Sequence, residues 1–275
     1  MKPFLTLVRR NVHEARWTLF LSTLALFSLG WLLVYVASRQ ETRIRHALEV
    51  GKGMNWIRDL GLEKDPPSIE IMMAFWNQPL IILLAAVWAV GRGAGAVGAE
   101  IERGTLDLVM SRPISRASYL GSQVVAALLG LVVIAGALAV GAYAATFYNL
   151  LKSKPSFLLL FRPAMNLAAL AFPMYGYTLW FSAMDVVRWR PLLLGTMLTF
   201  AGFVARVVSM IPVFREAVWR PWAEHASLFS LYNPVDAVSE RVHYDFNMAV
   251  LLGLGVGFVA LAFLSFSARD LPANA

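Results

Sequence analysis

The sequence predicts an all-α polytopic membrane protein: six transmembrane helices, an N-terminal amphipathic elbow helix and a short cytoplasmic coupling helix between spans two and three. Three observations predict it. Of 275 residues, 59% are hydrophobic and only 15% charged, against about 45–50% and about 25% in soluble domains. Six apolar runs approach or exceed the roughly 20 residues a helix needs to cross the hydrocarbon core. The charged residues gather in short segments at the ends of those runs. The whole chain, 1–275, reads as one transmembrane domain.

Residues 1–16 form the first element. In "MKPFLTLVRRNVHEARW" Phe4, Leu5, Leu7, Val8 and Val12 share one helical face, and Lys2, Arg9, Arg10, His13 and Arg16 the other. Such a helix lies in the headgroup layer. The first span, 17–38, exceeds the roughly 7–15 apolar residues of a signal-peptide core, so it is read as a retained helix. "KDPPS" at 64–68 is a turn before the second span, 71–93. The third span, 117–146, lies in a run longer than one crossing requires, so the end of that run projects or breaks. The fourth is 163–184. The fifth, 191–212, contains Arg206. A charge inside a span marks a functional site by default, and snorkelling to the outer interface is the alternative. Residues 215–235 follow, with Trp219, Trp222, Phe229, Tyr232 and Asn233 around Pro221 and Pro234. Interfacial aromatics favour short helices on or dipping into the outer leaflet; a loop packed on its own domain is the other reading. The sixth span is 246–268.

Counting Lys and Arg on each side does not decide orientation. Proximity to helix ends does: "DVVRWR" between spans four and five holds two arginines in six residues. Both termini are therefore placed in the cytoplasm of a plasma or inner membrane.

Composition excludes several chemistries. There is no cysteine, hence no disulfide, thiolate metal site or Cys nucleophile. The net charge of +7 is scattered at run ends, which suits anionic lipid headgroups and not nucleic acid. The four histidines lie far apart and offer no zinc spacing. "GKG" at 51–53 lacks the flanking pattern of a P-loop. The small-residue pairs Gly91/Gly95 and Gly253/Gly257 allow close helix approach. Polar residues within spans (Asn77, Gln78, Asn166, Tyr175) form no catalytic constellation. The chain is expected not to be an enzyme and to bind no cofactor or metal.

The stretch "GAEIERGTLDLVMSRPISRASYLG", 98–121, is a polar interruption between spans. Thr105 can cap a short helix with Asp107 in its first turn. Leu106, Val109 and Met110 share a face. Pro113, after Arg112, ends the helix, and Ser115 can cap the next. An apolar face rimmed by Glu and Arg suits docking into a partner's groove; a solvated loop is the plain alternative.

This stretch resembles the signature between spans two and three of type-2 ABC exporter permeases. The matching residues are Glu100, Glu102, Arg103, Gly104, Thr105, Leu106, Asp107, Ser111, Pro113, Ile114, Ser115 and Arg116. "YNPVDAV" at 232–238 resembles the stretch such permeases carry before the last span. Val109 stands where the signature has Leu, Ile101 where many members have Lys, and the outer loop 39–70 is short. The resemblance implies a permease subunit of an ATP-binding-cassette exporter. A separate ATPase subunit, carrying ATP and Mg, would dock on 100–112, Val109 included, and on the elbow with Arg9 and Arg10. A second permease copy or homologous permease would complete the path. Spans one, two and five would line it, and 215–235 would cap it, with Arg206, Trp219, Trp222, Tyr232 and Asn233 as path or gate residues. A membrane anchor or scaffold subunit, or a membrane-embedded lipid-modifying enzyme, remains the alternative.

Overall fold

The computed structural model describes residues 2–50, 68–106, 114–148, 154–211, 218–222, 227–239 and 244–269. These residues are helical throughout apart from short turns. The helices are α1 (Lys2–Glu14), α2 (Arg16–Val50), α3 (Ser68–Trp76), α4 (Pro79–Gly95), α5 (Gly98–Glu102), α6 (Arg116–Thr146), α7 (Phe157–Met184), α8 (Trp189–Met210), α9 (Pro234–Val238) and α10 (Tyr244–Ala268). A 3₁₀ turn at Leu228–Leu231 precedes α9.

Five helices are unbroken candidate spans: Arg16–Glu41, Arg116–Thr146, Phe157–Met184, Trp189–Met210 and Tyr244–Ala268. The sixth is a bent pair. α3 and α4 meet at 53°, because Pro79 at the start of α4 has no N–H to continue the ladder from α3. The second span is thus two half-helices, where the apolar run alone suggested one rod. Span four differs the other way. Its helix begins at Phe157, capped by the Ser156 hydroxyl, and carries Pro163 and Pro173 inside it. Arg206 does not interrupt span five, which is helical from Trp189 to Met210.

α7 is the central helix. It is packed by α10, α4, α6, α8 and α9, and its Leu160, Ala164, Leu167, Leu170, Tyr175, Tyr177 and Leu179 are all buried. α2 packs on α6 along a glycine seam. A Cβ at Gly141 would collide with the Phe27 carbonyl oxygen, and one at Gly30 with that of Leu138. Gly93 lies against the Tyr175 carbonyl in the same manner. Gly91, Gly253 and Gly257 have nothing within 4 Å of such a Cβ. The close approaches inside this chain therefore use glycines other than the pairs that spacing suggested.

Large apolar side chains remain exposed on α2, α4, α8 and α10, among them Phe20, Leu24, Val87, Met197, Phe200, Val256 and Leu264. These helices surround the α6–α7 core, and their outer faces meet hydrocarbon in a bilayer.

Candidate functional site

The polar end of the bundle is built around the turn between α4 and α6. α4 ends at Gly95, Val97 breaks the helical backbone, and α5 adds one short turn. Ser182 near the end of α7 holds this break. Its hydroxyl accepts from the N–H of Val97 at 3.2 Å and of Gly98 at 2.9 Å, and donates to the Ala94 carbonyl at 3.0 Å. The Tyr119 hydroxyl donates to the Ala96 carbonyl at 2.7 Å. Buried backbone groups freed by the break are thereby satisfied. After α5 the chain turns at Gly104, whose φ of +67° suits glycine. Thr105 and Leu106 are helical again.

Glu100 is the hub. Its side chain is 5% exposed and its carboxylate accepts from two directions. Arg10 Nη2 of the elbow reaches both carboxylate oxygens at 3.3 Å, and the Thr105 hydroxyl donates to Oε2 at 2.6 Å. Arg10 also donates through Nε to Glu14 at 2.6 Å. Burial opposes the Arg10 charge, but Glu14 and Glu100 outweigh it and hold the guanidinium above its ordinary value. The next residue, Asn11, donates to the Ser122 hydroxyl of α6 at 3.0 Å. Leu7, Asn11 and Ala15 are the buried stripe of the elbow, while Leu5 is 62% exposed. The wheel reading put Leu5 with Leu7 on the apolar face turned to the membrane and did not mark Asn11, because a buried hydrogen bond has no hydrophobic signature.

The α7–α8 turn joins the same region. Glu102 accepts from the Arg188 backbone N–H at 3.1 Å. Asp185 accepts from the N–H of Val186 and Val187 and lies 3.8 Å from Arg190. From the last helix, Arg269 donates to the carbonyls of Ala183 and Asp185 at 3.0 and 2.9 Å. Arg116 at the start of α6 donates to the carbonyls of Phe266, Ser267 and Arg269. The elbow, the 98–106 segment and the ends of α6, α7 and α10 are therefore tied together.

The sequence-derived docking residues fall into three groups. Glu102, Arg103 and Gly104 are exposed, and Arg9 is exposed on the elbow. Glu100 is buried, and Leu106, at 3% exposed, packs into the core of the bundle. Leu106 supports the segment from beneath and offers no apolar knob to a partner. The Thr105 hydroxyl donates to Glu100, and helical geometry already includes Thr105 itself. Asp107, Val109 and Pro113 lie outside the described residues. Ser115 caps α6, its Oγ accepting from the Ser118 N–H at 3.1 Å.

At the opposite end, the described parts of 215–235 pack on α8 and α3. Phe229 meets Phe203 edge-on at 5.7 Å, and the Ser227 hydroxyl donates to the Gly202 carbonyl at 2.8 Å. Tyr232 is buried, and its hydroxyl donates to the Trp76 carbonyl at 3.4 Å, next to the bend of span two. Burial holds this hydroxyl above its ordinary value. Asn233 caps α9, accepting from the N–H of Val235 and Asp236. Trp219 and Trp222 are exposed, at 43% and 78%. Arg206 is partly buried on α8. Tyr232 and Asn233 thus hold the segment together, while Trp219 and Trp222 present its aromatic surface.

Ser182, Tyr119 and Asn11 carried no readable signal, since each is a single polar residue within an apolar or basic run. Among the described residues, no group of three His, Asp or Glu could hold a metal ion. No curated protein matches the chain. Residues 13–271 match the family described as ABC-2 family transporter protein. That match spans the elbow's last residues, every span, and the polar turn at Glu100. The chain belongs to the ABC-2 transporter family and is a membrane subunit of the type-2 ABC permease kind.

Proposed function

We propose that the chain is the permease subunit of an ABC exporter, and that a separate ATPase subunit docks at the elbow end of the bundle. The observation that carries this reading is the clamp of the elbow onto the polar turn through Arg10, Glu100 and Thr105. A push on the exposed ridge Glu102–Gly104 passes directly into α1 through Glu100 and into α8 through the Glu102 contact with Arg188. A partner that moves this ridge therefore moves two elements at once. ATP and Mg belong to that partner, whose hydrolysis drives the cycle. A second permease copy, or a related one, packs on the exposed apolar faces of α2 and α8, and the path runs between them. Both termini face the cytoplasm, where the ATPase is.

Co-purification with a co-expressed ABC ATPase tests the docking step. The Arg103 side chain is exposed and forms no hydrogen bond or ion pair among the described residues. Arg103→Glu should abolish ATPase retention and ATP-dependent transport while leaving the thermal stability of the permease unchanged. Retention and transport at wild-type levels in this variant would move the docking surface elsewhere. Stable wild-type permease that retains no ATPase would favour the anchor or scaffold reading.

A further inference from the structure

α8 and α10 each pack on α7 rather than on each other. The sequence of α8 supplies the reason. Toward α10 it presents Ala201, Gly202 and Ala205, whose short side chains do not bridge the gap, while its large exposed Met197 and Phe200 lie on other faces. A cavity of about 390 Å³ is left between the two helices.

Tyr177 of α7 forms its floor, and Phe258 of α10 meets that ring edge-on at 5.8 Å. Phe229 of the 3₁₀ turn closes the end away from the elbow. It lies so near α8 that a Cβ added to Gly202 would stand 3.3 Å from its ring. Leu198 of α8 and Leu254 of α10 line the cavity too, and they are 47% and 38% exposed. The cavity therefore opens between α8 and α10 onto the surface that meets hydrocarbon.

Its two side-chain hydroxyls are already committed inside the chain. Thr199 donates to the Gly195 carbonyl of its own helix at 2.7 Å, and the Tyr177 hydroxyl hydrogen-bonds the Thr199 oxygen. The Gly202 carbonyl accepts from Ser227. A buried water needs polar partners, and these walls leave none waiting. The volume lies within the range of about 300–1,000 Å³ that ligand sites occupy. Left empty, the lining atoms would lack dispersion partners. The medium at the mouth is the bilayer interior, so the occupant that reaches the cavity is a lipid tail.

We propose that this cavity is a binding site for an acyl chain of a membrane lipid, wedged between α8 and α10 and ending against Phe229. No headgroup is recognised there. Lipid tails are as apolar as the walls, so no hydrophobic driving force holds the chain in place. The gain is the added van der Waals contact of an enclosed slot, worth about threefold in occupancy over an open lipid-facing surface. The site is remote from the elbow end, and its test requires no ATPase.

The full chain is placed in nanodiscs of phosphatidylcholine, a small share of which carries a diazirine near the tail terminus. After illumination, lipid adducts are mapped by peptide mass spectrometry. Adducts on Leu198, Leu254 and Phe258 should exceed those on Val256 and Leu264, the exposed reference face of α10, by about threefold. Ala201→Leu and Ala205→Leu each place a larger side chain in the slot. Either should bring the cavity adducts down to the reference level without lowering the melting temperature. Ala201 is itself exposed, so its variant keeps the fold. Adducts on the cavity walls no denser than on the reference face would overturn the proposal, as would an excess that persists in folded A201L and A205L.

Discussion

Arg10 of the elbow and Glu100 of the polar turn meet at 3.3 Å through both carboxylate oxygens, 90 positions apart in sequence. The contact is asymmetric. The Arg10 side chain is 37% exposed and that of Glu100 only 5%. Removing Arg10 strands a buried carboxylate, whereas removing the charge of Glu100 leaves an arginine that water and Glu14 can serve. Arg10→Ala should therefore cost about 1–3 kcal/mol, more than Glu100→Gln, because a buried charge loses its partner. The double variant should lose less than the sum of the two. Thermal or denaturant unfolding of the purified permease in detergent measures all three; strict additivity would mean the pair is uncoupled.

Ser182 serves two N–H groups and one carbonyl at the α4–α5 break. Ser182→Ala strands the N–H groups of Val97 and Gly98 in a buried position, at about 1–3 kcal/mol each. Hydrogen exchange at these two amides should accelerate and the melting temperature should fall. An unchanged exchange rate would show that the break is held by other contacts.

Gly104 has φ of +67° and open space around its Cα. Gly104→Ala meets no steric neighbour, so its effect is backbone strain alone, about 1–2 kcal/mol. The strained turn should weaken ATPase retention and lower the melting temperature by a few degrees, about 2–4 °C per kcal/mol; unchanged retention and melting would show that the turn tolerates a Cβ at this φ.

The α2–α6 seam gives an internal control. Gly141→Ala forces a Cβ against the Phe27 carbonyl and should destabilise by about 1–3 kcal/mol. Gly253→Ala, in open space, should leave the stability of the purified chain within about 0.5 kcal/mol. Equal effects at both positions would contradict the packing of α2 on α6.

Tyr232 predicts a pH dependence. Burial raises its folded-state value, so its contribution to stability is present below the ordinary tyrosine value of about 10 and is lost as pH rises through the folded value. Tyr232→Phe cannot ionise. It should retain a larger share of its neutral-pH stability under alkaline conditions than the wild type does, compared by limited proteolysis of the outer segment. Identical alkaline loss in the two proteins would assign that loss to other groups.

The sequence by itself determined the architecture, because hydrocarbon demands helices of sufficient apolar length and such runs are visible residue by residue. It also determined the family, since the polar turn around Glu100 carries a matching string of residues. Ser115 was legible as a cap because capping is local to a few positions.

Only the tertiary structure decided what those residues touch. Leu106 has the pattern of a docking knob, yet it is buried in the bundle, because periodicity gives a face without saying which neighbour covers it. The bend of span two at Pro79 is written in one residue, but its 53° angle comes from the packing of α3 on α2 and α9. Arg188 looks like one of many run-end charges. The approach of its Nε to within 3.8 Å of where a Cβ on Gly95 would be requires the α7–α8 turn to fold back on α4, a relationship between distant segments that no local pattern encodes.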